Sequence, residues 1–278
     1  MKMNNKAIII CADDFGQSSK ISEAILFLMS RKRINATSCL VNMPLWQDVY
    51  TTLLPFTNCF LGLHLNLTLG NALSALWRNK YGISFYSLSK LIFLAYSQRL
   101  DFDTVASEIE SQIDAFYQKM GRYPDFIDGH QHIHQLPIIR DALLSVYSKM
   151  YHADCFFRKT YNGQQDFFSL QGAPKVQLLS ILGGKCWQNL LLKQQIKANS
   201  SFAGVYNFQK SKHYPQYFRH FLKNISHQGL IMCHPGYEAS AEDNDPIGSS
   251  RYHEFSYLNG EEYQADLMYH GVTLLQKT

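Results

Sequence analysis

Short apolar runs alternate with helical patterns along most of this chain. Apolar and β-branched residues at positions 7–12 predict a buried strand, and positions 19–31 then show a helical period behind a capping serine. Further strands are predicted at 37–43, 60–67, 126–133, 155–158 and 229–233, and further helices at 48–54, 102–120, 138–150, 214–225 and 257–268. Strands that alternate with helices predict a parallel sheet or barrel.

The segment 71–100 interrupts this alternation. It is rich in aromatic and apolar residues, lacks clear periodicity and reads as loop, so we predict an insertion or a lid there. The remaining pattern is continuous, and α/β barrels of ~200–250 residues form one domain. We therefore predict a single domain over residues 1–278.

Composition excludes several classes of protein. The net charge of +4 is small and the only basic cluster is Arg31-Lys32-Arg33, so we expect no nucleic-acid partner. No apolar stretch reaches the ~18 residues of a membrane span, and the run at 7–10 is too short for a signal peptide. The six cysteines form no CxxC pair. A cytoplasmic protein with free thiols is expected.

Polar residues lie at the predicted carboxyl ends of several strands, the face that carries the active site of a (β/α) barrel. Asp13 and Asp14 follow the first strand, His64 lies in the strand at 60–67, and His234 follows the strand at 229–233. Each also has a structural interpretation, as a helix cap, a core histidine or a turn. Their coincidence at one face favours a catalytic site.

The segment Asp128-Gly129-His130-Gln131-His132-Ile133-His134 carries the strongest chemical signal. Residues two apart in a strand share a face, so its carboxylate and three imidazoles are expected to project to one side. Burying them unpaired would be costly, whereas a divalent cation binds both kinds of group. The segment predicts a metal site, with a solvated histidine tract in a structural protein as the alternative.

Several motifs together resemble the YdjC/ChbG family of carbohydrate deacetylases. They occur in the family's order and approximate spacing: Ala12-Asp13-Asp14-Phe15-Gly16, Gly62-Leu63-His64-Leu65-Asn66-Leu67-Thr68, residues 128–134, Cys233-His234-Pro235-Gly236 and, more weakly, 201–204 and 251–258. The resemblance implies a distorted (β/α) barrel, similar to the polysaccharide deacetylases. It also implies a metal-dependent hydrolase that removes N-acetyl groups from small amino sugars or chitooligosaccharides. Cys11 and the segment 71–100 depart from the family pattern.

The resemblance also implies roles for individual residues. Asp14, His64 and His130 would hold the metal, Asp13 would be the general base and His234 the general acid. The residues predicted to bind substrate are His132, His134, Asp128 and Arg158, and Asp128 is also placed to orient His130. The assignment of base and ligand between the two adjacent aspartates rests on similar deacetylases.

Other functions remain open from the residues alone. An amidohydrolase-type metallohydrolase also uses an His-x-His pair, but usually on its first strand, where this chain has Asp13 and Asp14. A catalytically inactive metal- or sugar-binding protein is a further alternative. The ligands suit Zn²⁺ slightly better than Mg²⁺, and both are retained. A small N-acetylated sugar is the expected partner, and the apolar residues 85–96 make a homodimer plausible.

Overall fold

The computed structural model describes residues 5–150, 154–162, 180–238 and 245–277, with only the backbone of 180 and 181. These described ranges contain eight strands: β1 (Lys6–Phe15), β2 (Ala36–Cys39), β3 (Phe60–Leu65), β4 (Phe126–Gly129), β5 (Phe156–Phe157), β6 (Phe202–Ala203), β7 (Leu230–Cys233) and β8 (Val272–Leu274). All pair in parallel, in the order β5-β4-β3-β2-β1-β7-β6, and β8 pairs with the start of β1.

The sheet is curled but incompletely closed. Among the described residues, β5 and β6 share no strand pairing, and a single bridge joins Phe157 to Ala198 near this gap. Helices connect the parallel strands, as such strands require. This architecture confirms the distorted (β/α) barrel predicted from the sequence.

In the described part of the chain, these strands are connected and flanked by the α-helices α1 (Ser19–Ser30), α2 (Trp46–Val49), α3 (Ala75–Tyr81), α4 (Leu88–Tyr96), α5 (Phe102–Met120), α6 (Ile139–Tyr147), α7 (Lys185–Lys193), α8 (Tyr214–Asn224), α9 (Gly248–Asn259) and α10 (Glu261–Tyr269). Short 3-10 helices occupy Tyr50–Leu53, His130–Gln135 and Phe208–His213. Within the described ranges, no helix is long and apolar enough to cross a membrane.

Capping residues explain the bounds of the best-predicted helix, α5. The side chain of Asp101 accepts a hydrogen bond from the Thr104 N–H at its start, and Gly121 adopts φ +67° after its end. An aspartate at this position satisfies a free N–H group of the first turn, and glycine adopts the left-handed conformation without a Cβ clash. The observed helix therefore coincides with the prediction of 102–120.

The alternation of side chains along β1 separates two apolar regions. Ile8 and Ile10 face the helices and belong to the main core, whereas Ile9 and Cys11 face the barrel interior beside Phe126. Residues two apart in a strand share a face. Asp13 is therefore the next side chain on the interior face, above Cys11, where the structure finds it buried.

Three predictions about secondary structure are wrong. The segment 71–100 is not a loop but contains α3 and α4, whose side chains Trp77 and Leu91 are fully buried. The predicted helix 257–268 is two helices, α9 and α10, that meet at Gly260. The predicted strand 126–133 ends at Gly129, because the chain then turns into the 3-10 helix.

Candidate active site

The register of the sheet brings the predicted residues to one end of the barrel. In the pairing of β3 with β4, His64 lies opposite Asp128. In the pairing of β1 with β7, Ala12 lies opposite Cys233, so that Asp13 and His234 follow as neighbours. Parallel strands place their carboxyl ends at the same edge, and this edge forms the site.

An irregularity in β1 changes the direction of its two aspartates. The register against β2 shifts between Ala12 and Phe15, and Asp14 adopts φ +72°. Adjacent residues of a regular strand point to opposite faces, whereas a bulge re-aims side chains and often occurs next to an active site. Both carboxylates consequently line the same cavity.

Asp14, His64 and His130 form a candidate metal-binding group. Their potential ligand atoms all lie within 4.8 Å of one another. Asp14 Oδ1 is 3.4 Å from His64 Nε2 and 3.0 Å from His130 Nδ1. Two ligand atoms about 2.1 Å from an ion and about 90–109° apart would be separated by about 3.0–3.4 Å. The spacing therefore fits a divalent ion.

The second ring nitrogen of His64 is held by Asp128. His64 Nδ1 lies 2.6 Å from Asp128 Oδ1, and Ser38 Oγ donates to the same oxygen at 2.5 Å. A carboxylate behind a ligating histidine fixes the ring so that its other nitrogen faces the metal. The sequence predicted that Asp128 orients His130. It orients His64 instead, because the strand pairing places Asp128 opposite His64.

Arg158 connects Asp128 to Asp13. Its guanidinium makes two hydrogen bonds to Asp13, of 2.6 and 2.7 Å, and Nη2 lies 2.6 Å from Asp128 Oδ2. Burial alone would raise the pKa of Asp13, but Arg158 holds it well below its usual range. Cys11, Asp13 and Asp128 form a second group with ligand spacing. The guanidinium already bonds to the sulfur of Cys11, at 3.2 Å, so this group holds Arg158 instead of a metal.

The site carries more negative than positive charge. Its ion pairs, of 2.6–2.7 Å, involve four buried or partly buried carboxylates and two buried guanidinium groups: Asp13, Asp14, Asp128, Asp245, Arg158 and Arg251. With the histidines left out of the count, four negative charges less two positive charges leave two negative charges, which a divalent cation would offset. Burial opposes protonation of His64, but Asp128 and Asp13 outweigh it and raise its pKa to about 10. The field of the site therefore favours an added positive charge.

The turn after β4 separates the three histidines that the sequence predicted on one face. Gln131 and His132 adopt φ +54° and +60°, so the chain leaves the extended conformation. A Cβ on Gly129 would lie 2.9 Å from the backbone nitrogen of His134, a close approach that only glycine permits. His130 reaches Asp14 and His132 lines the cavity, but His134 is fully buried beneath it.

His134 contacts the protein backbone. Its Nε2 lies 3.0 Å from the carbonyl oxygen of Arg158, which also accepts from Trp187 Nε1 at 3.0 Å. Asp128 and Arg158 are likewise fully buried, and neither lines the cavity. These three residues, predicted to bind substrate, therefore lie behind the cavity wall.

We expect His134 to lower the stability of the folded state as the pH falls from 7 to 5. Burial lowers the pKa of His134 to about 4 from an ordinary 6.5. Between these values the unfolded chain binds a proton that the folded chain excludes, at a cost of about 2 kcal/mol by pH 5. Urea denaturation at both pH values measures how far the free energy of unfolding falls between pH 7 and pH 5. This decrease should be about 2 kcal/mol smaller in His134→Asn than in the wild type. Equal losses would contradict a buried neutral imidazole.

The site opens into a cavity of about 390 Å³. Asp13, Asp14, His64, His130, His132 and His234 all contribute to its lining. The lining also includes the apolar residues Leu69, Leu88, Val205, Phe208, Met232 and Ile247. The cavity is thus large enough for a small ligand, and its lining combines polar with apolar side chains.

Helix α9 supplies two site residues whose contacts the sequence did not reveal. Arg251 Nη2 donates to Asp14 Oδ2 at 2.7 Å, which leaves Oδ1 facing the histidines. Glu254 Oε2 accepts the backbone N–H of His234 at 2.6 Å. The weak resemblance of 251–258 to a family segment was the only sequence signal for this pair. Ser38, which donates to Asp128, could be recognised in the sequence only as a polar residue in a predicted buried strand.

Comparison with known families identifies the chain. The YdjC-like protein family matches residues 7–268, nearly the full length. The chain belongs to the YdjC-like family. The match includes β1, β3 and β4, whose carboxyl ends carry the three residues of the candidate metal-binding group.

Curated relatives of this YdjC-like chain carry deacetylase names. A carbohydrate deacetylase of Danio rerio is 28% identical over 146 residues, 51% of this chain and 46% of that protein. A chitooligosaccharide deacetylase of Enterobacter sp. (strain 638) is 30% identical over 137 residues, 49% of this chain and 53% of that protein. The aligned region spans about half the length of these relatives.

A solved structure shares the fold over the whole chain. A protein of Enterococcus faecalis V583, for which cleavage of cellobiose-phosphate was suggested, superposes with a TM-score of 0.72 at 20% identity. The alignment covers 98% of this chain and 97% of that protein. The likeness supports the barrel architecture of the YdjC-like chain.

Proposed function

We propose that this YdjC-like chain is a metal-dependent deacetylase that removes N-acetyl groups from small amino sugars or oligosaccharides. The observation that carries the proposal is the group Asp14, His64 and His130, with ligand atoms within 4.8 Å, in a cavity that Asp13 and His234 also line. The deacetylase names of the relatives support the choice of reaction.

Asp14 Oδ1, His64 Nε2 and His130 Nδ1 would hold the ion. A divalent ion at this place would polarise the acetyl carbonyl and make a water molecule more acidic. Two histidines and one carboxylate leave coordination positions open, as a catalytic site requires. Arg251 and Asp128 act on the ligands by fixing the rotamers of Asp14 and His64. The ligand set suits Zn²⁺ and accommodates Mg²⁺.

Asp13 would accept the proton of the attacking water. Its carboxylate is ionised, because Arg158 outweighs the effect of burial on its pKa. The two hydrogen bonds from Arg158 also fix its orientation towards the cavity. A base that is already charged and immobile needs no reorganisation when the water approaches.

His234 would deliver a proton to the departing nitrogen. Burial lowers its pKa to about 4, so the ring is neutral at pH 7 before the reaction. The proton given to the amine is therefore the one that Asp13 took from the attacking water. It would pass from Asp13 to the imidazole of His234 and from there to the departing nitrogen. Asp13 and His234 follow paired residues of β1 and β7, which places them side by side for such a transfer.

We assign the remaining predicted residues by their position. His132 lines the cavity and would contact the sugar. Arg158, Asp128 and His134 lie behind the wall, where they would position catalytic groups rather than bind substrate.

The six cysteines are free, which supports the cytoplasm as the compartment. A homodimer through the 85–96 segment stays a prediction; Phe93 on α4 is exposed there.

An inactive metal- or sugar-binding protein is the second candidate. Such a protein would bind an ion and a sugar without releasing acetate. The ordered bonds of Arg158 to Asp13 favour catalysis, because pure binding gives no reason to bury and orient a carboxylate beside the ligands. An amidohydrolase-type enzyme would act on other amides with the same ligands, and acetate release from sugars distinguishes it.

Acetate release tests the proposal. The wild type should release acetate from diacetylchitobiose or N-acetylglucosamine, and EDTA or His130→Ala should reduce the rate by at least about 100-fold. His227→Ala is the control, because His227 is exposed near the opposite end of the barrel. Acetate release that survives EDTA and His130→Ala would refute metal dependence. A bound ion without acetate release would favour the inactive binder.

A further inference from the structure

Glu254 is a buried carboxyl group that the proposed reaction does not use. It has 0% of its surface exposed and lies on α9. Oε2 accepts the backbone N–H of His234 at 2.6 Å, and Oε1 accepts the phenol hydroxyl of Tyr206 at 2.7 Å. Both donors belong to residues that line the cavity. Glu254 therefore connects two parts of the cavity wall from behind.

The backbone at His234 needs such an acceptor. Strand β7 ends at Cys233, so His234 is the first residue beyond the sheet, and Pro235 has no N–H group. The next N–H, of Gly236, donates to the carbonyl oxygen of Arg251 at 3.1 Å. Both N–H groups of this strand exit thus bond to residues of α9, one to a side chain and one to the backbone.

The ring of His234 has few other constraints. Its Nδ1 is buried and has no hydrogen-bond partner. Phe208 packs edge-on against the imidazole, with ring centroids 5.4 Å apart. An edge-on aromatic contact restrains a ring only weakly. The direction of the imidazole therefore depends mainly on where the backbone of residue 234 is held.

We propose that Glu254 is the positioning residue for His234, fixing the main chain so that the imidazole meets the departing nitrogen of the substrate. The inference rests on the proton-delivering role proposed for His234. Tyr206 completes the arrangement, because its hydroxyl occupies the second oxygen and fixes the plane of the carboxylate. Glu254 itself contacts no reacting atom.

The environment of Glu254 is consistent with this role. Burial raises its pKa to about 7, although the His234 N–H and Tyr206 favour the ionised form. A carboxylate without solvent is costly unless its oxygens are bonded, and here both are. A merely apolar contact between α9 and β7 would not require a charged group.

Glu254→Gln tests the proposal, since it keeps the size of the side chain and replaces one acceptor oxygen by a donor. The kcat for acetate release from diacetylchitobiose should fall by about 10- to 100-fold, part of the gain that acid catalysis gives, with KM within about twofold. With 4-nitrophenyl acetate the loss should be under about threefold, because phenolate leaves without a proton. Equal losses on both substrates would show a general structural defect and overturn the positioning role.

Glu108→Gln is the matched control. Glu108 is also a buried carboxyl, and it accepts the backbone N–H groups of Leu73 and Ser74 away from the ligands. We expect the kcat of Glu108→Gln to differ from that of the wild type by less than about twofold on either substrate. A loss as large as that of Glu254→Gln, with the same substrate dependence, would contradict the assignment.

A measurement without substrate separates this inference from the proposed function. NMR of the histidine ring protons should show the His234 signal shifted or broadened in Glu254→Gln and unchanged in Glu108→Gln. An unaltered His234 signal in both would overturn the positioning role whatever the activity. Absence of acetate release by the wild type would instead refute the proposed reaction, while the ring signal would still decide whether Glu254 positions His234.

Discussion

Asp13→Asn should reduce the kcat for acetate release by about 10²–10⁴-fold while leaving metal binding and folding intact. The amide cannot take a proton from the attacking water. Arg158 loses one of its two hydrogen bonds to residue 13 but still donates to the remaining oxygen and stays paired with Asp128, so the chain should still fold. The ligands Asp14, His64 and His130 make no contact that this substitution removes. Steady-state kinetics measures the kcat, and a metal titration measures the affinity for the ion.

Asp125→Asn is the control for that substitution. Asp125 also pairs with basic side chains, Arg122 and Lys277, but it precedes β4, at the opposite end of the strand from His130. We expect the kcat of Asp125→Asn to differ from that of the wild type by less than about threefold. If Asp13→Asn kept more than about a tenth of the wild-type kcat, another group would have to act as the base.

Arg158→Met should destabilise the folded chain by about 3–5 kcal/mol. The guanidinium has 0% exposure and lies between Asp13 and Asp128. Its loss would leave two buried carboxylates close together without the guanidinium that pairs with both, which is far costlier than the loss of an exposed ion pair. Urea denaturation at pH 7 measures the free energy of unfolding.

Two variants check the cause of that destabilisation. Arg219→Met removes an exposed guanidinium paired with Asp266, and should cost no more than about 1 kcal/mol. Adding Asp13→Asn to Arg158→Met should recover part of the lost stability, because one uncompensated charge disappears. Additive effects of the two substitutions would contradict the ion-pair explanation.

The barrel and the edge that carries the candidate site were predictable because both follow from local patterns. The strands β1, β3, β4 and β7 each overlap a predicted apolar run, and the carboxyl ends of parallel strands meet at one edge. Asp13, His64 and His234 were therefore recognisable from their positions alone. Helix α5 was bounded correctly because its capping residues lie next to it in the sequence.

Contacts made by distant parts of the chain were not predictable in this way. The turn at 130–135 depends on the close packing of Gly129 against His134, and a run of alternating histidines gives no sign of it. Arg251 reaches Asp14 across 237 positions of the sequence. Helices α3 and α4 are seven and nine residues long, too short for a clear period, and they are fixed by burial of Trp77 and Leu91.

The most direct test of the account is acetate release as Zn²⁺ or Mg²⁺ is titrated into metal-depleted protein with diacetylchitobiose present. The account predicts no release without the ion and a rate that saturates at about one ion per chain, since Asp14, His64 and His130 form one ligand group. Full activity in the depleted protein, or saturation with the ion and no acetate, would contradict it.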